Sequence, residues 1–429
     1  MSMSERMTRR RLLGSAAATA GAVALGRPLL GSNAAGAAPR PGDPGFDHVV
    51  VVMMENRSFD HLLGWLPGAD GRQAGLTYRD KAGVPHATHA LAPDFQGCGH
   101  PDPDHSYEGG RVEYDKGACD GWLRAGANDV YSIGYYRRPD LSFLGQAVPQ
   151  WTTLSRYFAA ILAETFPNRI YQHAGQTDRL HNTNDVSTLP TIWDRLAAAG
   201  VSGRYYFSDV PFLALWGSKY IPISRQVAGF FADCAAGTLP AVSFVDPRFE
   251  DEDSGTSGDD HPHADIRNGE AFMASIYRAV TTSPNWARTV LIFNFDEWGG
   301  FYDHVPPPAA PIPPATAAAG DKDGRLGFRV PTLLVSPVAR RAHVGTRVYD
   351  HTSILRMIES RWALQPLTVR DRTANDLRLE LTARPDVTAP SYAVPAGPFG
   401  GPCGVPATPV GEEEWAPILD LARRTGWPV

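Results

Sequence analysis

His48-Val49-Val50-Val51-Val52-Met53-Met54 sets the strongest limit on what this chain can fold into. Four consecutive valines show no polar alternation, so they cannot form a strand with one face in water. Such a run is a strand buried on both faces, as in a parallel sheet under helices. It stops abruptly at Glu55-Asn56, a carboxylate and an amide at the strand's carboxyl end. Residues 289–295, Thr-Val-Leu-Ile-Phe-Asn-Phe, repeat the pattern and stop at Asp296-Glu297. Residues 201–207, 241–245 and 330–337 read as further strands. Residues 142–163, 192–199, 269–281 and 351–362 read as helices, with Gly200 stopping the second. Strands alternating with helices give an α/β sandwich around a largely parallel sheet. Ligands bind outside the carboxyl ends of the strands in such sheets. The carboxylates at these two strand ends are therefore candidate metal ligands or a general base, although Glu55 and Asn56 also suit a cap for the next helix.

Composition narrows the partners. The chain has 429 residues, 43% hydrophobic and 20% charged, with a net charge of −6 and no basic cluster in its body. That is an ordinary soluble globular balance, long enough for one large core or two domains, and it argues against nucleic acid as a partner. Thr8-Arg9-Arg10-Arg11-Leu12-Leu13, an Ala-rich apolar run and the small residues Ala35-Gly36-Ala37 form a twin-arginine leader over residues 1–37. This predicts export by the Tat machinery, to a secreted or envelope-associated location, with at most peripheral membrane contact. The domain expected to carry the chemistry spans residues 44–365, and residues 366–429 read as a covering segment. Cys98, Cys119, Cys234 and Cys403 allow up to two disulfides in three pairings. Cys98 with Cys119 is the most local of them, and no Cys-x-x-Cys spacing points to zinc.

Three segments place oxygen donors at the ends of buried elements: Glu55-Asn56, Thr165 and Asp296-Glu297. Pro167 biases Phe166 away from helix, which puts Thr165 near a break. His100 and His105, His261 and His263, and His304 crowd near these segments in sequence. A hard divalent cation takes carboxylate, amide and hydroxyl oxygens. Bound there, it would activate a hydroxyl that is otherwise a weak nucleophile.

Glu55-Asn56-Arg57-Ser58-Phe59-Asp60, Thr165-Phe166-Pro167-Asn168-Arg169, His261-Pro262 and Asp296-Glu297-Trp298-Gly299-Gly300-Phe301-Tyr302-Asp303-His304-Val305 occur in that order. Together they resemble the bacterial phosphoesterase family of non-haemolytic phospholipases C and respiratory-burst-inhibiting acid phosphatases, over most of residues 46–362. The resemblance implies an alkaline-phosphatase-like α/β sandwich. It implies one divalent metal cation among Glu55, Asn56, Asp296 and Glu297. It makes Thr165 the nucleophile, places His105 and His261 beside the transferring phosphoryl group, and gives Asn56 and His304 as phosphate contacts. The expected substrate is a phosphoester, phospholipid among the candidates. Threonine at 165 favours phospholipase C-type cleavage of a diester, and the lack of an evident β-rich C-terminal extension favours smaller or soluble phosphoesters. Acid phosphatase action on monoesters and a non-catalytic phosphoester-binding protein are the alternatives. A sulfatase would need cysteine or serine where Thr165 stands.

Overall fold

Seven residues of the valine segment form β1 (His48–Met54), and every one after His48 is buried. The computed structural model describes residues 45–250, 255–404 and 415–429. The twin-arginine leader lies outside those residues. β1 is a central strand of an eight-stranded sheet. The other members are β2 (Thr152–Leu154), β3 (Gly203–Phe207), β4 (Ser224–Gln226), β5 (Val242–Val245), β6 (Thr289–Phe295), β7 (Leu333–Val335) and β8 (His343–Gly345). Across the sheet they run β8-β2-β7-β6-β1-β5-β3-β4. β1 is parallel to both its neighbours, β5 and β6. Only the pairings of β7 with β6 and with β2 are antiparallel. A strand buried between two parallel neighbours has no solvent face, which is why its valines do not alternate with polar residues.

Helices surround this sheet, among them α1 (Phe59–Leu63), α2 (Tyr107–Tyr114), α3 (Leu144–Ala147), α4 (Thr165–Ala174), α5 (Ile266–Thr281), α6 (His351–Trp362) and α7 (Ala416–Thr425). α5 begins three residues before the reading from periodicity, because Asp265 caps it by accepting the Arg267 N–H at 3.0 Å. Its buried residues Ile266, Met273, Ile276, Tyr277 and Val280 form one helical stripe. α6 matches its expected bounds and is capped by Asp350, which accepts the Thr352 N–H at 2.7 Å. Trp415, just before α7, stacks on Phe249 with ring centroids 3.9 Å apart. No helix among the described residues is long and apolar enough to cross a membrane.

Two expectations fail here. Residues 142–163 are not one helix: α3 covers four residues, and the chain then enters β2. Pro149 cannot continue a helix, and Thr152-Thr153 carry β-branched side chains suited to the sheet slot beside β7. The cysteine pairing also differs. Cys98 is bonded to Cys403, 305 residues away, and Cys119 and Cys234 are buried thiols. Cys119 is directed into an apolar cluster with Trp122 and Phe328, and burial pushes its thiol up to about 12. The sequence-local partner is therefore unavailable, and the disulfide instead ties the loop before α2 to the C-terminal segment.

α3 yields a testable pH dependence. Its first amide groups, on Phe143 and Leu144, donate to the buried carboxyl of Glu270 on α5. Burial pushes Glu270 up to about 7, against the pull of those two bonds. A carboxyl with a raised folded pKa takes up a proton on folding. The stability it contributes is complete below its unfolded value near 4.5 and is lost as pH rises through about 7. The Glu270→Gln amide oxygen can still accept. The wild-type protein should therefore lose on the order of 3 kcal/mol more than this variant between pH 5 and pH 8. Thermal unfolding of both proteins across that range checks this, and parallel curves would refute it.

Candidate active site

Three strand ends meet in a carboxylate row. Met54 pairs with Phe295, so Glu55 and Asp296 lie side by side, and Val52 pairs with Val245, so Asp246 follows its strand two residues short of Glu55. All three are buried, and so is Glu297. The backbone locks the row: Asp296 N–H donates to the Met54 carbonyl at 3.0 Å, and Arg57 N–H to the Glu297 carbonyl at 3.1 Å. His351, at the start of α6, places its Nε2 2.6 Å from the Asp296 carbonyl. Burial holds the His351 imidazole down to about 4, so at neutral pH it is an uncharged strut.

Arg169 binds this row together. It projects from α4, is buried, and lies 3.3 Å from Glu55 Oε1, 3.4 Å from Asp246 Oδ1 and 2.9 Å from Asp296 Oδ2. Its guanidinium lies 4.7 Å from the Phe249 ring centroid. Burial opposes its charge, yet Asp296, Glu55 and Asp246 together raise its pKa above the ordinary arginine value. Burial in turn raises Asp296, opposed by Arg169 and the Asn56 and Glu297 amides, and pushes Asp246 up to about 6. Asp246 and Arg169 went unassigned in the sequence reading, although Asp246 obeys the rule that exposed Glu55 and Asp296: it follows a buried parallel strand.

Asn56 is the hub. Its backbone takes φ +54°, a left-handed conformation that asparagine tolerates better than most residues. This turn aims its N–H at Asp296 Oδ1, 3.1 Å away. Its side-chain Oδ1 accepts the Thr165 hydroxyl at 3.4 Å, and its Nδ2 lies 3.4 Å from His105 Nε2. His105 Nδ1 faces the Pro103 carbonyl at 2.8 Å, an acceptor only, so Nδ1 carries the proton and Nε2 is the acceptor in the neutral ring. Glu297 Oε1 lies 4.0 Å from the same Nε2, while Glu297 Oε2 accepts the Gly299 N–H at 2.6 Å. Gly299 has φ +61°, and a Cβ there would sit 2.1 Å from the Asn56 carbonyl oxygen. Only glycine lets that turn close on the hub.

Thr165 is the first residue of α4, not a residue before a break inside a helix. Pro167 falls in the first turn, where its missing N–H costs nothing and Phe166 stays helical. Asn182 accepts the Phe166 N–H at 2.7 Å, which steadies this helix start. His261 is buried, with Nε2 3.8 Å from Asp102 Oδ2 and its ring 6.1 Å from that of His105. Burial, with His105 and His263 adding to it, holds the His261 pKa well below the histidine range.

His304 sits elsewhere. Its Nδ1 lies 2.5 Å from Asp60 and its Nε2 3.0 Å from Asp70, so carboxylates rather than a phosphate site occupy both ring nitrogens. Arg329 joins Asp60 and Asp303 at 3.2 and 2.9 Å in the same buried network. His100 and His263 are likewise structural: His100 pairs with Asp129 at 2.7 Å, and His263 Nε2 faces the His100 carbonyl at 2.8 Å.

The donor chemistry fits a metal cation. Glu55, Asp246, Asp296 and Glu297 bring four carboxylates to a buried row whose ion pairs include one guanidinium, Arg169. Hard oxygen donors with excess negative charge suit a divalent ion. Asp102, His105 and His261 add a group whose candidate ligand atoms lie within 4.8 Å of one another. Asp60, Asp303 and His304 converge equally closely, but Arg329 already balances them.

The model of the Phosphoesterase family matches residues 46–365, a span holding every residue of this row, the hub and the nucleophile candidate. The chain belongs to that family. It is therefore a hydrolase acting on phosphoester bonds. Among relatives of this phosphoesterase, phospholipase C B of Mycobacterium tuberculosis is 31% identical over 473 residues, covering 91% of this chain and 88% of its own. Non-specific phospholipase C6 of Arabidopsis thaliana is 30% identical over 367 residues, covering 76% and 70%. A protein of the alkaline phosphatase superfamily from Vibrio parahaemolyticus overlaps 77% of this chain and 69% of its own at a TM-score of 0.40 and 10% identity.

Proposed function

We propose that this phosphoesterase cleaves a phosphodiester in the manner of a phospholipase C, with Thr165 as nucleophile. The observation that carries this reading is the Asn56 amide. One side-chain group accepts the Thr165 hydroxyl and presents its N–H groups to His105, joining residues 56, 105 and 165 at one point. The printed names of the relatives above, phospholipases C, supply the diester class.

In this mechanism Asn56 orients the Thr165 Oγ, which attacks phosphorus in line. The Oγ–P bond forms as the bond to the leaving alkoxide breaks, and the Thr165 hydroxyl proton passes by way of His105 Nε2 to that alkoxide. Water then attacks the phosphothreonine-type ester and releases the phosphoryl product, giving up a proton that returns by way of the same Nε2 to Thr165 Oγ. His261, uncharged at neutral pH, donates a hydrogen bond to a phosphoryl oxygen. Glu55, Asn56, Asp296 and Glu297 would hold a divalent cation, whose chemistry here is to lower the pKa of a hydroxyl and neutralise phosphoryl charge. Positioning and charge stabilisation supply most of the acceleration in phosphoryl transfer.

Rates on p-nitrophenylphosphorylcholine and p-nitrophenyl phosphate, with and without a chelator, test the reading. The diester should turn over faster, and chelation should reduce the rate by at least about a hundredfold, restored by one added divalent metal. Faster monoester cleavage would favour an acid phosphatase. Full activity after exhaustive chelation would remove the cation from the mechanism.

A further inference from the structure

His105 and Glu297 are carried by two separate loops, and both loops are anchored on one buried carboxyl group that the mechanism above does not use. Glu113 lies in α2 and is buried. Its Oε2 accepts the Trp298 indole N–H at 2.7 Å, and its Oε1 accepts an Asn128 Nδ2 hydrogen at 3.2 Å. Trp298 adjoins Glu297. Asn128 Oδ1 accepts the backbone N–H of Asp104 at 2.6 Å, and Asp104 adjoins His105. The path Glu297–Trp298–Glu113–Asn128–Asp104–His105 therefore runs back to within 4.0 Å of its start, the distance between Glu297 Oε1 and His105 Nε2.

Three glycines permit this closure. A Cβ on Gly110 would lie 2.9 Å from the Trp298 ring, and one on Gly109 2.3 Å from the Asp104 carboxylate. Both glycines sit inside α2, where glycine is otherwise unfavourable. A Cβ on Gly300 would lie 2.6 Å from Pro103 and 2.8 Å from the Asp104 carbonyl oxygen. Close approach of the two loops is the physical reason for glycine at all three positions.

We propose that Glu113 is a positioning residue that sets the spacing of His105 and Glu297, touching neither substrate nor cation. The inference rests on the role given to His105 above. Without Glu113 the indole N–H and the Asn128 amide lose a buried acceptor, and the two loops lose their common anchor. Displacement of a reacting group by about 1 Å can cost a hundredfold in rate.

A double-mutant cycle with kcat, KM and thermal unfolding of each variant tests this. Glu113→Ala should lower kcat about 10- to 100-fold with KM changed less than about threefold. In a His105→Ala background the same change should cost less than about threefold more, because one member of the pair whose spacing it sets is gone. Trp298→Phe, which removes only the N–H and keeps a ring, should lower kcat by about tenfold and show the same non-additivity. Glu113→Gln, able to keep one of the two bonds, should fall between Glu113→Ala and the native enzyme. Should Glu113→Ala fail to fold, the cycle runs with Trp298→Phe and Glu113→Gln. Losses that simply add, or native kcat in folded Trp298→Phe and Glu113→Gln, would overturn the inference while leaving the role of His105 intact. Near-native turnover of His105→Ala alone would overturn that role and the inference with it.

Discussion

Thr165→Ala is expected to lower turnover by at least about a thousandfold while leaving the protein folded. The hydroxyl is the group that forms the new bond to phosphorus, and among the described residues no second hydroxyl shares its bond to Asn56 Oδ1 at 3.4 Å. The structural cost is small, because the side chain occupies the first position of α4, where alanine is a good helix former. Thermal unfolding should therefore move by no more than about 1 kcal/mol equivalent. Thr165→Ser keeps a hydroxyl at the same place and should retain measurable turnover. Rapid quenching with substrate in excess, followed by mass spectrometry, should find a phosphoryl-type adduct on residue 165 in the native enzyme and none in the alanine variant. Near-native kcat in a folded Thr165→Ala protein would end the nucleophile assignment.

The second large effect is on stability. Arg169→Met should destabilise the protein by about 3–5 kcal/mol, because it leaves buried carboxylates without their guanidinium. Glu55, Asp246 and Asp296 all depend on it, at 3.3, 3.4 and 2.9 Å. For a unit of this size that corresponds to a melting temperature lower by about 5 °C. The loss should shrink at acidic pH. Burial already raises Asp296, and raises Asp246 to about 6, so protonation relieves the unpaired charges as pH falls. Arg169→Lys should rescue little, since one ammonium cannot reach three carboxylates in the plane of a fork. Equal melting temperatures for the variant and the native protein at pH 8 would show that the row does not need this arginine. Activity should fall with it, because the same carboxylates border the hub at Asn56.

How far the site was legible follows from where each residue sits. Glu55, Asp296 and Glu297 stand at the ends of strands that advertise their burial, so chain position alone located them. Asp246 was reachable by the same rule, but its strand is only four residues long. Arg169 acts across the sheet from α4, and nothing in the spacing of its neighbours says that it faces three carboxylates. His105 and His304 looked alike as histidines in polar loops. Their contacts separate them: an amide and a carbonyl within 3.4 Å of the His105 ring nitrogens and the Glu297 carboxylate at 4.0 Å, against two carboxylates within 3.0 Å for His304. The cysteines show the same limit, since proximity in sequence favoured Cys119 and folding delivered Cys403 to Cys98.

The sequence by itself determined the α/β class, the buried parallel strands and the carboxylates at their ends. These depend on local periodicity, which is written residue by residue. Only the tertiary structure decided that Asn56 joins Thr165 to His105 and that Arg169 balances three strand ends. It also decided that Glu113 ties two loops together. Those relations join residues as much as 185 positions apart, and their distances are set by register and packing rather than by anything local to either partner.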